Sequence, residues 1–172
     1  MSTIACVEPA AATPGINSYL VLVAATDELL FPHVDSCIAI AFVMMDGRMV
    51  GGHVGMQMPT AIDLDPYGNA LKICEEMIAL IGVGPIARVI LVGDGNWEKD
   101  YLEDRNVVEA IINLTACENT LFIDTGAYGG GVDFSLNPRR HMMFLQRCTL
   151  HRPLVFQRSY AQIVEHKICR LG

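Results

Sequence analysis

DSCIAIAFVMMDGRMVGGHVGMQMP, residues 35–59, is two apolar runs folded back on each other across Asp46-Gly47. Apolar runs on either side of an Asp-Gly pair are the strongest short-range hairpin signal a sequence offers. The first run, Ile38 to Met45, has the length of a buried strand. The second, Met49 to Met58, carries Gly51-Gly52 and then His53. With Asp46-Gly47 as a two-residue loop, Met45 faces Arg48, partner numbers sum to 93, and Cys37 falls opposite Met56. A loop of four or five residues moves the pairing by one or two positions. Twist and a bulge at the glycines are then needed to bring Cys37 level with His53.

Outward from the hairpin, the chain alternates short apolar runs with two amphipathic stretches. Residues 1–17, with Pro9, three alanines and Thr13-Pro14-Gly15, read as a flexible arm. Ser18 to Ala25 reads as a first strand, and Leu29 to Val34 leads into Ser36-Cys37. Pro59 to Tyr67 is polar and turn-rich. Gly68 to Ile81 carries Leu71, Cys74, Ile78 and Ile81 at helical spacing, closed by Gly82, Gly84 and Pro85. Ala87 to Val92 is a continuous apolar strand ending in Gly93-Asp94-Gly95. Asn96 to Arg105, with Trp97, reads as polar and exposed, and Asn106 to Cys117 as a second helix. Leu121 to Asp124 is a strand, followed by the glycine-rich loop 125–131. Val132–Phe134 and Met142–Leu145 read as a strand pair around the turn 137–140. In the C-terminal extension 148–172, Leu154–Phe156 suggests another strand and Tyr160 to Cys169 a terminal helix. Two helices among mostly hairpin-linked strands predict an α/β fold: a layered sandwich of mixed and antiparallel sheets with two or three helices.

Composition narrows the function classes. A chain of 172 residues is expected to form a single domain, 1–172, with a sizeable core. A net charge of −7 argues against nucleic acid as a partner, because counterion displacement needs a basic face. No apolar run approaches the ~20 residues of a membrane span, and no signal-peptide pattern opens the chain. Cys6, Cys37, Cys74, Cys117, Cys148 and Cys169 include no CxxC pair, so neither a zinc site nor a redox motif is indicated. Free cysteines fit a reducing cytoplasm. Asp94 and Asp124 end strands and read as turn caps. His141, His151 and His166 have no metal-ligand spacing, and no cofactor is indicated.

Several motifs occur in one order. Asp35-Ser36-Cys37 heads a strand, and Gly51-Gly52-His53 precedes an apolar run ending at Pro59. A helix at Asn69–Ile81 is followed by Val92-Gly93-Asp94-Gly95, then by Arg105-Asn106-Val107 opening a helix, then by Asp124 to Phe134. From about Asn17 to Arg147 the chain resembles the CheD family of chemoreceptor glutamine deamidases. More distantly it resembles the catalytic domain of cytotoxic necrotizing factor. The resemblance implies a cysteine-dependent protein-glutamine deamidase acting on a protein substrate, with Cys37 as nucleophile, His53 as base, and backbone N–H groups near Ser36-Cys37 as oxyanion donors. Two departures stand out. Gly55 occupies the family's histidine position, so a slip of one residue pair is needed for His53 to serve. Phe31 occupies the position of the family's orienting threonine, with His33 and Thr26 as nearby substitutes. An impaired CheD-like domain that binds a protein partner is the alternative, and a toxin-like effector deamidase is a further one.

Overall fold

The computed structural model describes residues 3–8, 19–55, 65–82, 84–98, 106–126, 131–165 and 167–171. The order is β1 (Ile4–Cys6), β2 (Leu20–Val23), β3 (Glu28–Val34), β4 (Ile38–Met44), β5 (Met49–Val54), α1 (Pro66–Ile81), β6 (Ile86–Gly93), α2 (Val107–Thr115), β7 (Thr120–Asp124), β8 (Val132–Asn137), β9 (Met142–Arg147), β10 (Leu154–Ser159) and β11 (Lys167–Arg170). The strands form two sheets, β1-β3-β8-β9-β10 and β11-β7-β6-β4-β5-β2. The fold is thus α/β, with two sheets of mixed and antiparallel strands and two helices.

The larger sheet is the middle layer, and β4 shows why. Ile38, Ile40, Phe42 and Met44 pack with Ala70, Ile73, Met77, Val108 and Ile111 of the two helices. Ala39, Ala41 and Val43 pack with Leu29, Phe31, Phe134 and Leu145 of the smaller sheet. All seven β4 residues are buried, as expected for a strand covered on both faces. Each large apolar side chain buried this way contributes about 1.5–3 kcal/mol. A one-residue slip would exchange the Ile/Phe face for the Ala face, so the register is firmly specified.

That register differs from the expected one. Val43 pairs with Met49, Ala39 with His53 and Ile38 with Val54, so partner numbers sum to 92. The loop is one residue longer than Asp46-Gly47. Met44 N–H donates to Arg48 O at 2.8 Å, and Gly47, at φ 90°, donates to Met44 O at 3.0 Å. A positive φ at the third loop position is the usual three-residue hairpin solution. Asp46 reinforces it by accepting from Arg48 N and Arg48 Nε. The strand ends at Val54, and the rest of the expected run, 56–58, lies outside the described residues.

Other expectations shift for local reasons. The first helix begins at Pro66 because Asp65 caps it, accepting from Gly68 N at 2.7 Å, with proline at the first turn. Its buried face is Ala70, Ile73, Cys74, Met77 and Ile81, with Leu71 and Ile78 at the margin. The second helix is capped by Asn106 and stops at Thr115, where Ala116 turns left-handed. Among the described residues no terminal helix forms: Tyr160–Gln162 is one 3-10 turn, and Lys167–Arg170 adds a parallel strand to β7. Residues 3–8 of the expected flexible arm are ordered by pairing with β3, and Val7 is fully buried; residues 9–17 lie outside the described residues. Among the described residues, no helix is long and apolar enough to cross a membrane.

Candidate functional site

Cys37 sits at a seam. The chain leaves the smaller sheet at the end of β3 and enters the larger one at Ile38, so Asp35-Ser36-Cys37 is the link between layers. A bulge at Pro32-His33, with His33 at φ 56°, turns the chain into this link. Asp133 Oδ1 holds the bulge by accepting from His33 N at 2.9 Å. From the other side, the Trp97 indole donates to Ser36 O at 3.1 Å. Trp97 is only 2 % exposed, against the expectation of an exposed segment, because its ring closes the helix-side core beneath the link. The thiol itself is half-buried. Burial pushes its pKa up, the Asp35 carboxylate adds to that, and the Ser36 hydroxyl opposes.

His53 lies between the sheets, fully buried. Its Nδ1 is 2.9 Å from the carbonyl oxygen of Val7. A carbonyl can only accept, so this contact puts the imidazole proton on Nδ1 and leaves Nε2 with a bare lone pair. Nε2 is buried and has no hydrogen-bond partner among the described residues. Burial draws the imidazole pKa down to about 4; the Val7 carbonyl opposes this and His33 adds to it. The ring is therefore neutral at pH 7, in the tautomer a general base requires.

Neighbouring small residues make room for this arrangement. A Cβ at Gly51 would come within 2.8 Å of Phe31 and 2.9 Å of Val7, and one at Gly52 within 2.7 Å of Ile73. Both layers close on the strand just ahead of His53, which explains the glycine pair. Phe31 flanks the imidazole, with centroids 6.2 Å apart, and stacks on Phe134 at 5.2 Å. It forms an apolar wall, and the orienting acceptor is Val7. The two substitutes considered for that role lie elsewhere: His33 is exposed at the bulge, and Thr26 is in the exposed turn between β2 and β3.

Extending the hairpin register by one position sets Cys37 opposite Gly55, with Ala39 directly opposite His53. Cys37 is thus diagonal to His53, a relation that typically separates Cα atoms by about 7–8 Å. No hydrogen bond joins the thiol to Nε2 in this structure. The sequence contained both side chains but missed Val7. The short apolar run Ile4–Val7 was its one signal, overshadowed by the prolines and alanines that follow.

The same end of the larger sheet gathers the tips of β6 and β7. Asp94 Oδ1 accepts from Asn96 N at 2.9 Å, and Asp124 Oδ1 from Gly126 N at 2.9 Å, so both act as turn caps. Asp124 also pairs with Arg170 at 2.9 Å, fixing β11 to the edge. Among the described residues, no group of three or more His, Cys, Asp or Glu side chains is placed to hold a metal ion; His166 lies outside them. No family model matches the chain, and no curated protein matches it.

Proposed function

We propose that this chain is a cysteine-dependent protein-glutamine deamidase of CheD-like type, with Cys37 as nucleophile and His53 as base. One observation carries the reading. A buried histidine donates from Nδ1 to a backbone carbonyl and keeps an Nε2 with no partner among the described residues, on the same hairpin as a half-buried cysteine. Most buried polar atoms in a structural core are paired, because an unsatisfied one costs about 1–3 kcal/mol. Functional sites are where such costs are tolerated.

The mechanism follows from the protonation states. Thiol and imidazole are both neutral at rest, so activation is by general base as attack begins. Cys37 Sγ bonds to the side-chain carbonyl carbon of a protein glutamine while its proton passes to His53 Nε2. Backbone N–H groups at Ser36 and Cys37 steady the oxyanion. The imidazolium returns that proton to the amide nitrogen, the C–N bond breaks, and ammonia leaves a thioester. Water, deprotonated by Nε2, then attacks the thioester carbonyl. The C–S bond breaks, giving glutamate and the free thiol. Val7 is a positioning residue that holds the ring and offsets part of the cost of the buried imidazolium.

The test is ammonia release from casein, a glutamine-rich protein, together with covalent capture of Cys37 by a glutamine-mimetic chloroketone. Wild type is expected to score in both assays, with Cys37→Ala and His53→Gln losing ammonia release by at least a hundredfold. Equal rates for Cys37→Ala and wild type would sink the proposal. A second reading is a CheD-like domain that binds a protein partner without turnover. The raised thiol pKa and the missing thiol–imidazole hydrogen bond favour it. It predicts no ammonia release and no preference of the chloroketone for Cys37 over the other cysteines.

A further inference from the structure

At the opposite end of the sheets, where the β4–β5 hairpin turns, lies a pocket of about 370 Å³. It is six residues along β4 from Cys37, about 20 Å at strand rise, and is independent of the site described above. Its size falls in the range of small-molecule sites. Val43, Met44, Met45 and Pro138 supply apolar surface, while Arg88, His141 and Tyr160 supply the polar wall.

The polar wall is rich in donors and short of acceptors. Among the described residues Arg88 gives one hydrogen bond, from Nη2 to Ala161 O at 3.2 Å, and its buried Nε has no partner. No carboxylate pairs with it among the described residues. The one carboxylate lining the pocket, Asp46, is already held by Arg48 at 2.7 Å. Tyr160 is 4 % exposed, and its ring stacks on His141 with centroids 5.5 Å apart. No hydrogen bond engages its hydroxyl among the described residues. Tyr160 N donates to His141 O at 2.9 Å, and His141 stands at φ 52°, so the two rings are fixed as a pair. A half-buried guanidinium without a counter-charge, beside a phenol and an imidazole, is the donor set that recognises an oxyanion.

We propose that this pocket binds a small-molecule oxyanion, a carboxylate or phosphate on a compact apolar body, with Arg88 as counter-charge and Tyr160 as hydroxyl donor. The methionines receive the apolar part, their flexible thioethers adapting to its shape.

The experiment is calorimetric titration of the full chain, in a low-chloride zwitterionic buffer, with sodium hexanoate in one arm and sodium phosphate in the other. Saturable binding of one equivalent at low-millimolar affinity or tighter is expected in at least one arm, and the stronger arm identifies the head group. Arg88→Gln is expected to weaken binding at least tenfold, the scale of one charge-assisted hydrogen bond, and Tyr160→Phe a few-fold. Should Arg88→Gln fail to fold, Ala25→Glu provides the test, because Ala25 is an exposed lining residue where an added anion repels the ligand. No saturation by wild type in either arm overturns the proposal. So does binding that survives Arg88→Gln or, where that variant does not fold, Ala25→Glu.

Discussion

His53 carries a linkage that can be measured without any substrate. Its folded pKa, about 4, lies below the ordinary 6.5. The unfolded chain therefore binds a proton in that window that the folded chain refuses. The resulting stability is complete above pH 6.5 and is lost as pH falls toward 4, about 3 kcal/mol in all. Urea unfolding from pH 7 to 4 is expected to show this acid limb in wild type and to lose it in His53→Gln. An unchanged limb in the variant would assign the acid sensitivity elsewhere. Cys37 gives the complementary result. Since burial and Asp35 raise its pKa, its iodoacetamide reaction is expected to climb only above the ordinary thiol range, with no plateau at acid pH. A plateau below pH 6 would mean a preformed thiolate–imidazolium pair and contradict the neutral-base mechanism.

Two elements control whether His53 is presented at all. The first strand reaches it through Val7, whose N–H bonds to Leu30 O at 2.7 Å and whose carbonyl holds Nδ1. Deleting residues 1–8 removes a buried valine and strands a buried donor, so a loss of about 3–5 kcal/mol is expected from equilibrium unfolding. A loss under about 1 kcal/mol would show that Val7 is not the acceptor in solution. The glycine pair on β5 is the second control. Gly51→Ala drives a methyl into Phe31 and Val7, at a cost of about 1–3 kcal/mol. Displacing Val7 weakens the one contact that opposes the depressed imidazole pKa, so a further fall in the His53 pKa is expected by NMR.

On the scale of the whole molecule, the larger sheet belongs to both cores at once. Its strands give one set of side chains to the helices and the other to the smaller sheet. Neither core can open without exposing the sheet the other depends on. Unfolding followed by Trp97 fluorescence, which reports the helix side, and by far-UV circular dichroism is expected to give coincident midpoints. Separate midpoints would show that the layers melt independently. The seam between layers is also where Cys37 stands, so the proposed site spans two sheets and depends on their docking.

The local grammar is legible in the amino-acid sequence alone. Asp46-Gly47 between apolar runs dictates a hairpin, the 3.6-residue spacing of Cys74 and Ile81 a helix, and the continuous apolar run Ala87–Val92 a strand. Cys37 and His53 were legible as candidates on the same hairpin. The tertiary structure decided their relation. Loop length, three residues and not two, is set by how Met44 and Gly47 pair, and it fixes the register at Ala39 opposite His53. The acceptor for His53 comes from 46 residues away in sequence, and Trp97 is buried by a link 61 residues before it. Periodicity encodes which face of an element is buried. It carries no information about which distant backbone carbonyl will meet that face when the layers close.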